Sequence, residues 1–248
     1  GLMVLRAVEP MLAASATNVA EALLLTGPAS VEWKLDGARI QVHKADDDIR
    51  VFTRNLNDVT DRLPGVVAIA RSLHPRRLVL DGEAMGIDEA GRPRIFQDTM
   101  SEFGAQTNAG ALDGFFFDVL HVDGTDLIAE PLASRRDVLA AVAPLHRIPS
   151  LVTTNAAEAE RFLQEAVARG HEGVMVKALD GRYDAGRRGG AWRKVKPVRT
   201  LDLVVLAAEW GHGRRTGWLS NLHLGARGPD GEFVMVGKTF KGMTDDML

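Results

Sequence analysis

Between Val31 and Val42 apolar and polar residues alternate, and the alternation breaks once, at Asp36-Gly37. Val31, Trp33 and Leu35 on one side and Ile40 and Val42 on the other repeat with the period of two of a half-buried strand. A strand, a glycine turn and a returning strand must be built here, and the fold has to cover the apolar face they share. The same alternation sends Lys34 to the opposite face from Trp33, at a bend where glycine lets a ligand approach the backbone. A lysine amine acts as a nucleophile only when uncharged, which calls for neighbouring cations or removal from water. Alone, Lys34-Leu35-Asp36-Gly37 is also what a surface hairpin contains, so the rest of the chain decides.

Two hundred and forty-eight residues, 46% of them apolar, suffice for one large domain or for one domain with a smaller companion. A formal net charge of −3 argues against binding nucleic acid by bulk charge, so any phosphate site must be a local concentration of cations. The absence of cysteine excludes disulfides, thiolate zinc sites and cysteine nucleophiles, and fits a reducing compartment. The seven histidines show no ligand spacing and read as structural or solvated. No apolar run reaches membrane-spanning length and the start does not resemble a signal peptide, so a soluble, cytoplasmic protein is expected. The opening Gly1-Leu2-Met3 and the stop at Met247-Leu248 read as those of a piece of a longer polypeptide.

Pro10 to Ala13 reads as an entry loop and Val19 to Leu25 as a short helix. Asp46-Asp47-Asp48 reads as a solvated turn between strands at Ile40 to Lys44 and Ile49 to Thr53, with Arg54 at the end of the second, able to reach a cleft. A helix is expected from Leu63-Pro64, capped by Asp61, then a strand pair over Arg77 to Ile87 interrupted at Gly82, and a short helix from Phe96 to Phe103. Glu83 lies in apolar surroundings and needs a hydroxyl, metal or cation as partner. Gly114 to Leu120 reads as a strand dense in aromatics, packed on both faces or offering a ring to a base. Ser134 and Asp137 start one helix, and Asn155 with Glu158 makes a capping-box start to another ending near Gly170.

Glu172 to Lys177 is an apolar strand with charge at each end. From Arg182 to Arg199 seven cations stand against the single acid Asp184, and Lys194 and Lys196 alternate with Val195, so both project from one strand face. Two cations aimed together into a cleft suit a triphosphate. Pro197 to Thr200 reads as a hinge linker. Leu203 to Trp210, Trp218 to Ala226 and Phe233 to Lys238 then read as the start of a small β-barrel, with Gly211 to Gly217 a hairpin loop between strands.

Glu32-Trp33-Lys34-Leu35-Asp36-Gly37, Asp81-Gly82-Glu83, Phe117-Asp118, Glu172 to Lys177 and Trp192-Arg193-Lys194-Val195-Lys196, in this order, resemble the motifs of ATP-dependent DNA ligases of the bacterial and archaeal type. The resemblance covers nearly the entire chain. It implies an α+β adenylation (nucleotidyltransferase) domain of antiparallel sheets and helices over residues 1–198, then the N-terminal part of an OB-fold β-barrel over residues 199–248. It also implies that Lys34 attacks the α-phosphorus of ATP to give lysyl-AMP, that AMP passes to the 5′-phosphate of a nick, and that the 3′-hydroxyl seals it.

Phe117 would then stack on one adenine face with Val174 or Met175 on the other, Glu32 would contact the adenine edge, and Glu83 would accept a ribose hydroxyl. Arg39 and Arg54 would reach sugar, phosphate or the nicked strand. Lys194, Lys196 and Arg188 would hold phosphates, with Lys177 sharing, and their field would favour a neutral Lys34. Mg²⁺ is implied too, on Glu172 and Glu83. The expected partner is nicked double-stranded DNA, with no membrane, for a monomer near the bacterial nucleoid. The family's OB-fold runs several strands further to a last basic motif, and many relatives carry an N-terminal DNA-clamping domain; neither is present, so weak self-adenylation and weak nick binding are expected. An NAD⁺-dependent ligase lacks support, since its nicotinamide-binding and cysteine zinc modules are missing. An RNA ligase, a GTP-using capping enzyme and a non-catalytic nick sensor are the other readings.

Overall fold

A computed structural model describes residues 2–88, 94, 112–197 and 201–240. The chain divides into two compact units, Gly1–Pro197 and Val198–Leu248. In the first unit the strands are β1 (Leu12–Ser15), β2 (Ala29–Lys34), β3 (Ala38–Ala45), β4 (Asp48–Thr53), β5 (Arg77–Gly86), β6 (Leu112–Val122), β7 (Thr125–Asp126), β8 (Ser150–Thr153), β9 (Gly173–Ala178) and β10 (Arg188–Val195). Its helices are α1 (Val19–Thr26), α2 (Pro64–Ser72), α3 (Leu132–Val142) and α4 (Ala156–Ala168). One sheet has the order β1-β10-β9-β2-β8 and the other β4-β3-β5-β6-β7. Among the described strands every ladder is antiparallel except that of β1 with β10. This is the expected α+β architecture.

Each sheet buries its outer face under helices and turns its inner face toward the other sheet. Val19, Leu23, Val31, Leu163, Val174 and Val176 form the core where α1 and α4 cover the first sheet. Ile40, Val42, Leu63, Val66, Leu80, Phe116 and Leu139 form the larger core where α2 and α3 cover the second. Two smaller clusters join the inner faces, Met11 with Val79, Leu120, Tyr183 and Trp192, and Leu35 with Met85 and Ile148. β2 is covered on both faces at its start, where Ser30 and Glu32 are buried along with Ala29 and Val31, so the half-buried pattern holds only toward Lys34.

Several local expectations are corrected. Leu12–Ser15 is a strand, not an entry loop, because the edge of β10 is open to pair with it. Arg77–Gly86 is one strand that runs through Gly82. Glycine is needed there because a Cβ would lie 2.4 Å from the Phe115 carbonyl oxygen, and the register with β6 shifts at the same point. Asp61 belongs to a 3₁₀ turn, Thr60–Arg62, and does not cap α2, whose first residue is Pro64. α3 begins at Leu132, directly after Pro131, ahead of Ser134. At α4 the Asn155 side chain accepts from Ala157 and Glu158 as a cap should, but the Glu158 carboxylate takes the Thr153 hydroxyl instead of completing a box. The helix expected at Phe96 to Phe103 lies outside the described residues.

The second unit holds β11 (Val204–Trp210), β12 (Leu219–Arg227) and β13 (Phe233–Thr239), three strands in sequence order forming an antiparallel sheet. Among the described residues it does not close into a barrel. The loop from Gly211 to Gly217 joins β11 to β12 as expected and contains a 3₁₀ turn, Gly213–Arg215.

Candidate active site

Residues two apart on a strand share a face, and the register of β2, β9 and β10 turns that rule into a lattice on the inner face of the first sheet. Lys34 lies opposite Gly173, Glu32 opposite Met175 and Ser30 opposite Lys177. On the other side of β9, Met175 is opposite Lys194 and Lys177 opposite Trp192. Across from this floor stand Arg39 of β3, Glu83 of β5 and Phe117 of β6, with Arg54 and Arg188 also lining the space, and the cleft so formed has a volume of about 310 Å³. That is room enough for a small-molecule ligand.

Lys34 hydrogen-bonds the Glu172 carboxylate, which also accepts from Lys196 at 2.6 Å. Burial would raise the Glu172 carboxyl, but the hydrogen bonds from Lys196 and Lys34 outweigh it and hold the group below its ordinary range. The amine is therefore touched by an anion, and Lys196 approaches it through that anion. Gly173 makes the geometry possible: its φ is +144°, and a Cβ would lie 2.2 Å from the Val195 carbonyl oxygen. The Glu83 carboxylate accepts no hydrogen bond among the described residues. Burial pushes its carboxyl up to about 7 against the opposing charges of Lys34 and Arg39.

At the other end of the lattice Lys177, 2% exposed, lies 2.6 Å from Glu32 Oε2, an ion pair whose angles are not those of a hydrogen bond. Its ammonium is 4.3 Å from the ring centroids of both Phe117 and Trp192, which meet edge to face. Glu32 also accepts the Ser30 hydroxyl at 2.8 Å. Arg39 is held by a bidentate pair with Asp81 at 3.1 and 2.7 Å and donates to the Met11 carbonyl at 2.7 Å. Burial would lower the Arg39 guanidinium, and Asp81 more than reverses this. Tyr183 donates to Asp81 at 2.6 Å and accepts from the Met11 amide at 3.1 Å, so the wall of the cleft and the segment before β1 are one hydrogen-bonded unit.

Residues 10–196 match the family model of the ATP dependent DNA ligase domain. The chain belongs to that family. A Probable DNA ligase of Pseudarthrobacter chlorophenolicus is 56% identical over all of this chain and 50% of its own length. One from Beutenbergia cavernae is 58% identical with the same coverage, so the chain spans about half the length of these curated relatives. Among solved structures, mycobacterial DNA ligase D complexed with ATP and MES superposes with a TM-score of 0.64 at 28% identity, over 96% of this chain and 74% of that one.

In this ligase-family domain Glu32, Lys34, Arg39, Arg54, Glu83, Phe117, Met175, Lys177, Arg188, Lys194 and Lys196 all line the one cleft, and Glu172 reaches it through Lys34 and Lys196. Arg54, Arg188 and Lys194 make no side-chain ion pair among the described residues. Lys177 stands apart from the other lysines. Its row is four residues from that of Lys34, about 13 Å along the strands. The sequence reading missed the tether of Arg39 by Asp81 and Tyr183, and missed Trp192 as the ring beneath Lys177. The Asp81-Gly82-Glu83 spacing was the available signal for the first, since both carboxylates lie on one strand. It also missed that Asp118 serves the scaffold: the fully buried Arg135 of α3 grips it at 2.7 and 3.0 Å and ties α3 to β6.

Proposed function

We propose that this chain is the catalytic part of an ATP-dependent DNA ligase, with Lys34 as its nucleophile. The neutral amine of Lys34 attacks the α-phosphorus of ATP, a phosphorus–nitrogen bond forms, the bond to the β-phosphate oxygen breaks, and pyrophosphate leaves. The AMP then passes to the 5′-phosphate at a nick, and the adjacent 3′-hydroxyl displaces it to close the strand. The observation that carries this reading is the lattice itself, which sets a lysine and its carboxylate partner at one end of a cleft and an aromatic pair with a buried Glu32 at the other.

A nucleotide laid along those rows puts its base between Phe117 and Met175 with Glu32 at the edge, its ribose beside Glu83, and its phosphates among Lys194, Lys196 and Arg188. Lys177 belongs at the base end, where its charge supports Glu32. Arg39 is a fixed wall of the sugar site, while Arg54 is free to meet ligand or nicked strand. A lysine amine attacks only when uncharged, so the Lys34–Glu172 contact has to open as the ligand arrives.

Glu172 and Glu83 offer the oxygen donors that Mg²⁺ prefers. Among the described residues no three acidic or histidine side chains converge, so such an ion would be held by one or two carboxylates and the ligand's own phosphates. When bound, it would supply charge neutralisation for the leaving pyrophosphate. The second unit is proposed as the first strands of an OB-fold, the partner as nicked double-stranded DNA bound by a monomer, and the setting as the bacterial cytoplasm near the nucleoid. Among the described residues no helix is long and apolar enough to cross a membrane.

Incubation with ATP and Mg²⁺ followed by intact mass and peptide mapping is expected to show one AMP on Lys34, absent from Lys34→Ala. Labelled GTP in place of ATP, and nicked RNA in place of nicked DNA, are expected to react poorly. No adduct on the unaltered protein, or an adduct that survives Lys34→Ala, overturns the proposal.

A further inference from the structure

Trp33 and His171 directly precede Lys34 and Glu172, the two residues whose side chains meet at the head of the cleft. Trp33 points to the back of the sheet, opposite Lys34. There its ring lies 4.8 Å from the His171 ring, 5.9 Å from Phe162 of α4, and 5.3 Å from the guanidinium of Arg169, which is itself held by Glu165 at 3.1 Å.

The backbone that carries Glu172 is not held stiff by its own conformation. His171-Glu172 sits between Gly170 at φ +91° and Gly173 at φ +144°, two residues in the region only glycine enters freely. One backbone bond at each end restrains it, from the His171 amide to Ala166 and from the Glu172 amide to Lys34. On the cleft side the Glu172 carboxylate is held by Lys34 and Lys196, and on the back of the sheet the dipeptide is held by the ring contact. Both Trp33 Nε1 and His171 Nδ1 are buried without a hydrogen-bond partner among the described residues, so on the Nδ1 side the imidazole contributes ring contact and no hydrogen bond.

We infer that the tilted Trp33–His171 ring contact behind the sheet holds Glu172 against Lys34, which makes His171 a positioning residue for the nucleophile. The inference rests on the proposed role of Lys34 in adenylation. Removing the ring frees the dipeptide to swing about its two glycines, and Lys34 loses the partner that fixes its direction. A ring without nitrogens serves as well as the imidazole.

The test compares His171→Ala, His171→Phe and Phe162→Leu, the last trimming the far side of the same cluster without touching the dipeptide. In single-turnover adenylation over a range of ATP concentrations, His171→Ala is expected to slow the saturated step by about tenfold to a hundredfold, the upper figure being what about 1 Å of misplacement can cost, with the half-saturating ATP concentration unchanged. His171→Phe is expected to recover the normal rate, and Phe162→Leu to lose thermal stability but not rate. A second readout needs no nucleotide: reductive methylation of Lys34, followed by peptide mass, is expected to run severalfold faster in His171→Ala alone. The inference is overturned if His171→Ala keeps both the normal rate and the normal labelling, if His171→Phe behaves like His171→Ala, or if Phe162→Leu slows the step equally. An unaltered protein that forms no adduct refutes the adenylation reading instead, and the labelling contrast still decides the positioning role.

Discussion

Lowering the pH should loosen the segment before β1 by charging one buried imidazole. His43 of β3 is 0% exposed. Its Nδ1 accepts the Leu5 amide at 3.0 Å, and its Nε2 lies 2.8 Å from Gln41 Oε1, which in turn accepts the Val8 amide at 2.9 Å. Only the neutral ring protonated on Nε2 satisfies both contacts, since a second proton would face the Leu5 N–H. Burial, with a smaller repulsion from His121, pushes the pKa from 6.5 down to about 4. The unfolded chain therefore binds a proton between pH 6.5 and 4 that the folded chain refuses, and stability falls as pH drops through that window. The full loss is about 3 kcal/mol, and about 2 kcal/mol of it is reached by pH 5. His43→Leu has nothing to titrate, but it leaves the Leu5 amide unpaired at a cost of about 1–3 kcal/mol at every pH. Urea unfolding of both proteins from pH 8 to pH 5 should show the unaltered protein ahead at pH 8 and that lead shrinking by about 2 kcal/mol, or about 5 °C in thermal midpoint. Carboxylates titrate alike in the two proteins and cancel in the difference. A lead that stays constant across this range would refute the buried neutral ring.

Arg135→Met should cost about 3–5 kcal/mol in urea unfolding, because it strands the fully buried Asp118 carboxylate without its counter-ion, and stability equal to the unaltered protein would contradict the pairing. Gly173→Ala should cost about 2–3 kcal/mol and stop lysine adenylation, since an alanine suits neither the φ of +144° nor the close Val195 carbonyl; normal stability and normal adduct formation would show that glycine is dispensable there. Tyr183→Phe keeps the ring in the Met11 cluster but removes one donor to Asp81 and the acceptor of the Met11 amide. A loss of about 1–3 kcal/mol is expected, and an unchanged unfolding midpoint counts against the Arg39 tether.

What could be read before the structure was what a period of two carries. β2, β3, β4 and β9 emerged from alternation or apolar runs bounded by charge, and β11, β12 and β13 matched their expected spans to within a few residues. The strand Leu12–Ser15 escaped because Leu-Ala-Ala-Ser has no strand character of its own and owes its state to the edge of β10, 176 residues further along at the first paired position, Leu12 with Arg188. Arg135 escaped for a similar reason. A charged residue in a helix reads as solvated until the carboxylate it meets is known to lie beneath it.

The site divides along the same line. Its chemistry-bearing side chains occupy alternate positions on neighbouring strands, so a local rule is enough to put Glu32 with Lys34, Met175 with Lys177, and Lys194 with Lys196. The groups that set their charge are remote: Glu172 stands 138 residues from Lys34, and Asp81 stands 42 from Arg39. Those pairings are products of register between strands, and register is chosen by the two apolar cores and not by the motifs. Lys34 consequently meets the Glu172 carboxylate, a partner remote in sequence, through a contact that only the assembled sheet creates.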